Sequence, residues 1–314
     1  MSVTPSTFLP DLVNGNIHDG LPIAPDSPLV IDRATRDRLV LHDPRCAPLV
    51  RRAMLPEDVR RWHATPSRYL VAMPRGWTLA TGGDATSEAA FAALAARHPS
   101  LAKFLAPHAA ALATQPHGDY WWELPPYPVA WFTAQSVIWP SHTTVLQAAP
   151  SVAGAYLLDG LTFTTAPTAF LLGYLGSAPG KAAAKQLGDL RADTIARLPV
   201  PQANPTDEAC IGALAEQLAE RATELADLEK RVLHNIMRDL APPGATPGPT
   251  LTQWWLLSFD AFLAELARRF RGDVPFRYRD GWRDMLNEQR IAHQIHTAEI
   301  ARWEGLLDAL VAGL

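Results

Sequence analysis

Pro125-Pro126-Tyr127, inside the run DYWWELPPYP, is the tail of an (Asn/Asp)-Pro-Pro-Tyr loop, which can hold an extruded adenine or cytosine. In such a loop the Asn or Asp oxygen and a proline carbonyl accept hydrogen bonds from the exocyclic amine, while the ring stacks on the base. Here the residue before the two prolines is Leu124, which has no oxygen to offer. Methyl transfer to the base would also need a glycine-rich G-x-G turn between a strand and a helix to receive S-adenosylmethionine. No turn of that kind occurs in the 314 residues. The PPY triplet therefore reads as a proline-rich loop leaving an aromatic strand.

Three other constellations invite chemistry and fall short of it. GSAPGKAAA, at 176–184, hints at a phosphate-binding loop, but Gly176 to Gly180 is one residue too short and Ala182 stands where a Mg²⁺-binding hydroxyl belongs. His293 and His296 share a helical stretch without a third ligand at fitting spacing, so they read as a polar helix face. The two cysteines, Cys46 and Cys210, lie far apart with no partners at metal-ligand spacing, as expected of reduced thiols in a cytosolic protein. Neither a Ser–His–Asp nor a Cys–His nucleophile can be argued from the sequence. No catalytic residue and no metal site is expected.

Arginine is the residue type with a chemical message. Between Val30 and Arg75 there are ten Arg against five acids, an excess of five positive charges in 46 residues, although the whole chain carries −4. The planar guanidinium fork suits bidentate contact with phosphate or guanine edges. Arg33, Arg36, Arg51, Arg52, Arg60, Arg61, Arg68 and Arg75 are the candidate DNA contacts. A solvated face of salt bridges is the competing account of the same residues.

The elements that must position these arginines form an α+β pattern. Residues 1–30, rich in Pro, Asp, Asn and Gly, read as an extended arm. From 30 to 205, short runs such as RYLVAM, PVAWFTA, SVIWP and GAYLLDGLTFTT read as strands, with helices at SEAAFAALAARH and TAFLLGYLGS. The prolines of RLPVPQANP close this part. From Thr206 to about Leu240, Ile211, Leu214, Leu218, Leu225, Leu228, Val232 and Ile236 follow helical spacing, with Asp207 and Glu208 in the first turn. That helix carries an apolar seam that needs a partner. A second helical set follows APPGATPGP, and its last member has Ile291, Ile295, Trp303, Leu306, Leu307, Leu310 and Val311 at helical spacing, making it the economical partner. No stretch approaches the ~18 apolar residues of a membrane span, and no secretory leader is seen, so a soluble cytoplasmic, nucleoid-associated protein is expected.

Taken in order, the segments resemble the TaqI-like specificity domain, the target-recognition half of type IIG restriction-modification enzymes and BREX-type adenine methyltransferases. The matching pieces are Val30-Ile31-Asp32, Arg36-Asp37-Arg38-Leu39 and Arg60-Arg61-Trp62, then Trp121-Trp122-Glu123-Leu124, SVIWPSH, GAYLLDGLTFTT, AFLLGYLGS, DLRADTIARLPVP and, after the long helix, LADLEKR and the terminal LLDALVAGL. The glycine-rich basic segment of that family reads LPED here, at 55–58.

The resemblance implies an α+β target-recognition domain over 1–205 and a helical spacer over 206–314. It implies double-stranded DNA as a partner, with the arginines on phosphates and Trp62, Trp121 and Trp122 on recognition strands. S-adenosylmethionine and the flipped-base pocket would belong to a separate methyltransferase or restriction chain, so this chain would hold no cofactor and be no enzyme by itself. Leu214, Leu218, Leu225, Leu228 and Val232 would dock that chain. A protein-binding accessory subunit that engages a methyltransferase through its helices without touching DNA is the alternative.

Overall fold

The computed structural model describes residues 6–83 and 86–314. The chain divides into two compact units, one of 1–215 with 310–314 and one of 216–309.

Among the described residues of the first unit run twelve short strands: β1 (Ser6–Phe8), β2 (Ile17–Asp19), β3 (Val30–Ile31), β4 (Val50–Met54), β5 (Val59–Arg60), β6 (His63–Ala64), β7 (Arg68–Val71), β8 (Val137–Pro140), β9 (Ala149–Pro150), β10 (Tyr156–Leu157), β11 (Leu161–Thr164) and β12 (Pro199–Pro201). Two four-stranded sheets organise them, in the orders β10-β4-β7-β3 and β2-β11-β8-β9; β1 pairs with β12, and β5 with β6. This is the mixed α+β fold that the pattern of short runs predicts.

From residue 6 onward the N-terminal segment is not an arm, while residues 1–5 of that expectation lie outside the described residues. β1 pairs antiparallel with β12 and β2 with β11, while Leu9, Val13, Leu21, Ile23 and Leu29 are buried. Gly20 lets this segment lie against the β10–β11 turn, because a Cβ there would sit 2.1 Å from the Leu158 carbonyl oxygen. Polar composition misled here because the apolar residues are sparse and spaced for a strand and a bend, not for one periodic element.

Two predicted strands take other forms, and a third run divides between sheets. PVAWFTA contains a 3₁₀ turn over Val129–Phe132. GAYLLDGLTFTT does supply strands, but they part: β10 joins β4 in one sheet while β11 joins β2 and β8 in the other. WWEL is a turn, built on the Glu123 carboxylate, which is fully buried and accepts the backbone N–H groups of Thr78 (2.8 Å), Gly76 (3.0 Å) and Asp119 (3.1 Å). Three N–H donors satisfy a charge that burial would otherwise penalise, and that pulls the chain out of ladder pairing.

The predicted helices at Ser87–Arg97 and Ala169–Gly176 are present. The second is apolar all round and buried on almost every side, as such a helix must be. It ends on Gly176, where a Cβ would meet the Trp62 ring at 2.1 Å; Ser177 then caps the next helix, Ala178–Lys185. The apparent phosphate loop is thus a helix-to-helix junction packed on a tryptophan.

The long helix runs Pro205–Leu240 and the last helix Arg279–Ala312. Within the 216–309 unit they run antiparallel, with Arg221 bonded to Glu299 (3.1 Å) and lying over the Trp303 ring, and His293 bonded to Glu229 (3.2 Å). Leu228, Val232 and Ile236 share a core with Leu251, Trp254, Phe262, Leu266 and Leu286. None of the described helices is long and apolar enough to cross a membrane.

Candidate nucleic-acid interface

Two neighbouring strands carry the arginines that are free to act. Arg51 and Arg52 follow each other on β4, and Arg68 opens β7; all three are exposed, and their side chains make no hydrogen bond or ion pair among the described residues. The antiparallel register sets Arg51 opposite Leu70, Arg52 opposite Tyr69 and Ala53 opposite Arg68. Side chains alternate along a strand, so Arg51 and Arg68 are diagonal neighbours on one face of the sheet, and Arg52 stands on the other.

The surroundings agree with that division. Arg51 reaches towards Gly154 and exerts its charge on Tyr127, whose hydroxyl donates to that of Tyr156 on β10 at 3.0 Å. Tyr156 pairs with Ala53, on the Arg51 face. On the opposite face the Arg36 guanidinium lies over the Tyr69 ring. Asp32 caps the Arg33–His42 helix through the Thr35 N–H at 2.8 Å. The Thr35 bonds, with a smaller contribution from Arg68 and Arg38, hold the Asp32 carboxyl below its usual range.

The remaining candidates are engaged elsewhere. Arg33 and Arg36 both pair with Asp37, and Arg75 pairs with Asp119 at 2.8 Å. Arg61 donates from Nε to the Gly176 carbonyl at 2.8 Å and lies over the Trp62 ring. Arg60 is exposed on β5 and also has interactions within the chain. The arginine-rich run is therefore not one basic stripe. In LPED, Asp58 accepts the Leu55 and Ser67 N–H groups, a structural role for an acid in a segment where the resembled family is basic.

Trp62 and Trp122 are buried at 1% and 0% exposure, so neither presents a ring to a ligand. Trp62 closes the β5–β6 turn with a left-handed backbone (φ 70), a conformation that a bulky residue keeps only when its surroundings over-determine it. Its N–H bonds to the Ala148 carbonyl and its ring fills the space beside Gly176. Trp122 donates to the Thr78 hydroxyl and stacks on Tyr120; half-buried Trp121 packs edge-on against Trp122. Tyr127 of PPY packs on Phe132 and Tyr156, and burial pushes its hydroxyl pKa far up.

The apolar seam proposed for docking is largely internal. Leu218, Leu228 and Val232 are buried, while Leu214 and Leu225 are half-buried. Leu228 and Val232 pack in the core of the 216–309 unit. Exposed apolar side chains of this region include Ile291, Ile295, Leu306 and Leu310 on the last helix, with Leu256 and Phe276 ahead of it. His293 stacks on Trp255 and bonds Glu229, which accounts for it without a metal.

Sequence reading missed one grouping. Asp43, Cys46 and His98 are all buried, with one ligand-type atom of each within 4.8 Å of the others. Cys46 is not a nucleophile there: burial, with Asp43 adding to it, pushes its thiol pKa up to about 11.

A domain of unknown function, DUF8810, matches residues 204–311. No curated protein matches the chain. Among solved structures, the type IIL restriction-modification enzyme MmeI in complex with DNA is similar with a TM-score of 0.45 and 11% identity, over 94% of this chain and 36% of the other. The chain thus spans about a third of the length of that enzyme, and at this TM-score the likeness carries no argument about function.

Proposed function

We propose that the chain recognises double-stranded DNA as the specificity part of a restriction-modification or BREX-like DNA methylation system, and does no chemistry alone. The observation that carries this reading is the pair Arg51 and Arg68, exposed, diagonal on one sheet face and without a side-chain hydrogen bond or ion pair among the described residues. Exposed guanidinium groups without an internal partner are what phosphate contact requires, and such contacts set register on a duplex. The ordered segment matches to the TaqI-like specificity domain support the same reading. Residues 1–205 then form the recognition domain. S-adenosylmethionine and the base pocket lie on a separate methyltransferase or restriction chain, which the helical region docks.

The alternative, a protein-binding accessory subunit, is favoured by Ile291, Ile295 and Leu306, exposed on the last helix. Selection by the full chain from a random duplex pool separates the two. Enrichment of one sequence motif, with binding that weakens as salt rises, is expected for a specificity module. A pool that stays random at low salt overturns it. Incubation of the pure chain with labelled S-adenosylmethionine and DNA should incorporate nothing, and clear incorporation would contradict the division of labour.

A further inference from the structure

We propose that Asp43, Cys46 and His98 form a binding site for a zinc-class transition-metal ion. Two loop junctions bring them together. Asp43 ends the Arg33–His42 helix and caps the following 3₁₀ turn, Pro44–Leu49, which contains Cys46. His98 ends the Ser87–Arg97 helix, just before Pro99–Leu105. One sulfur, one imidazole nitrogen and one carboxylate oxygen are the donor types that zinc accepts, and they supply three of four tetrahedral positions.

The ligand-type atoms lie within 4.8 Å of one another. Bonds of about 2.0–2.3 Å would draw them to roughly 3.5 Å, a side-chain adjustment and not a refolding.

The second, independent observation is His98 itself. It is 7% exposed, and its Nδ1 is buried without a hydrogen-bond partner. A buried polar atom left unpaired needs an explanation such as an ion. An arrangement held by hydrogen bonds alone gives Asp43 its partners in Arg45 (2.8 Å) and the Cys46 thiol, and still leaves that nitrogen orphaned among the described residues.

Charge balance also fits. Binding releases the Cys46 thiol proton to solvent, and thiolate plus carboxylate neutralise the dication. Arg45 grips Asp43 from the exposed side, which orients the carboxylate. The fourth position is left to a small donor such as water. The ion would tie the two helix ends together within the first unit, independently of whether the Arg51 and Arg68 sheet binds DNA.

The test uses the full chain, stripped with chelator under reducing conditions and titrated with Co²⁺. The site predicts about one equivalent bound, a thiolate-to-cobalt charge-transfer band in the near ultraviolet, displacement by Zn²⁺, and a melting temperature that rises with Zn²⁺. Cys210, the exposed cysteine, is the control: Cys210→Ser keeps the band, whereas Cys46→Ser loses it and His98→Ala weakens Co²⁺ binding at least tenfold. Wild-type protein with neither band nor melting shift overturns the proposal, even if the Cys46 variant fails to fold. A band lost in Cys210→Ser and kept in Cys46→Ser overturns it as well.

Discussion

Replacing Arg51 and Arg68 together by Ala is the most informative perturbation of the DNA reading. Both are exposed and make no side-chain hydrogen bond or ion pair among the described residues, so their loss should change stability by no more than about 0.5 kcal/mol, the usual range for surface sites. If each neutralises one phosphate, the slope of log K against log salt becomes shallower by about 1.8, at about 0.9 per contact. Between 50 and 200 mM salt that slope corresponds to about a twelvefold affinity loss that the wild type shows and the double variant lacks. Arg52→Ala is the internal control, because Arg52 projects from the opposite face of β4 and a duplex lying on the Arg51 face does not reach it. Fluorescence anisotropy of a labelled duplex across a salt series reads all three proteins. An unchanged slope in the double variant would show that these arginines do not meet phosphate. An equal change in Arg52→Ala would show that face assignment does not govern binding.

Other outcomes concern stability and can be read by thermal and denaturant melting. Leu228→Glu places an unpaired charge in the core of the 216–309 unit and should cost several kcal/mol, about 3 or more, whereas Ile291→Glu with Ile295→Glu on the exposed face should leave the free chain within about 1 kcal/mol of wild type. Equal melting of the two variants would contradict the internal seam. Glu123→Ala strands three backbone donors and should cost about 3 kcal/mol or more, while a loss under 1 kcal/mol would mean that the turn has another anchor. His18 has its pKa lowered from 6.5 by burial, with Asp19 opposing; it stacks on Trp131 with Nε2 unpartnered. The unfolded chain therefore binds more protons at that residue, so its contribution is present above pH 6.5 and lost as pH falls through the lower folded pKa. His18→Gln should flatten that part of the stability–pH curve, and an identical curve would exclude His18 as its source.

The sequence by itself determined the elements whose signal is local and repeated. The Pro205–Leu240 and Arg279–Ala312 helices follow from apolar spacing, and the Ala169–Gly176 helix from an unbroken apolar run bounded by turn residues. The failure of PPY as a base-holding loop was also legible, since Leu124 lacks an acceptor whatever surrounds it. Only the tertiary structure decided which arginines are free. Arg51 and Arg75 look alike in the chain, but Asp119, 44 residues away, pairs with Arg75, while Arg51 has no ion pair among the described residues.

The same holds for WWEL, which alternates poorly as a strand because a buried carboxylate gathers N–H donors from 45 and 47 residues away. It holds again for Asp43, Cys46 and His98, whose separation in sequence hides a cluster less than 5 Å across. Periodicity reports what one segment buries, and it is silent on which distant segment arrives to be buried against it. Long-range pairing is set by the packing of whole elements, so a charge, a ring or a ligand atom acquires its role only once the partner element is in place.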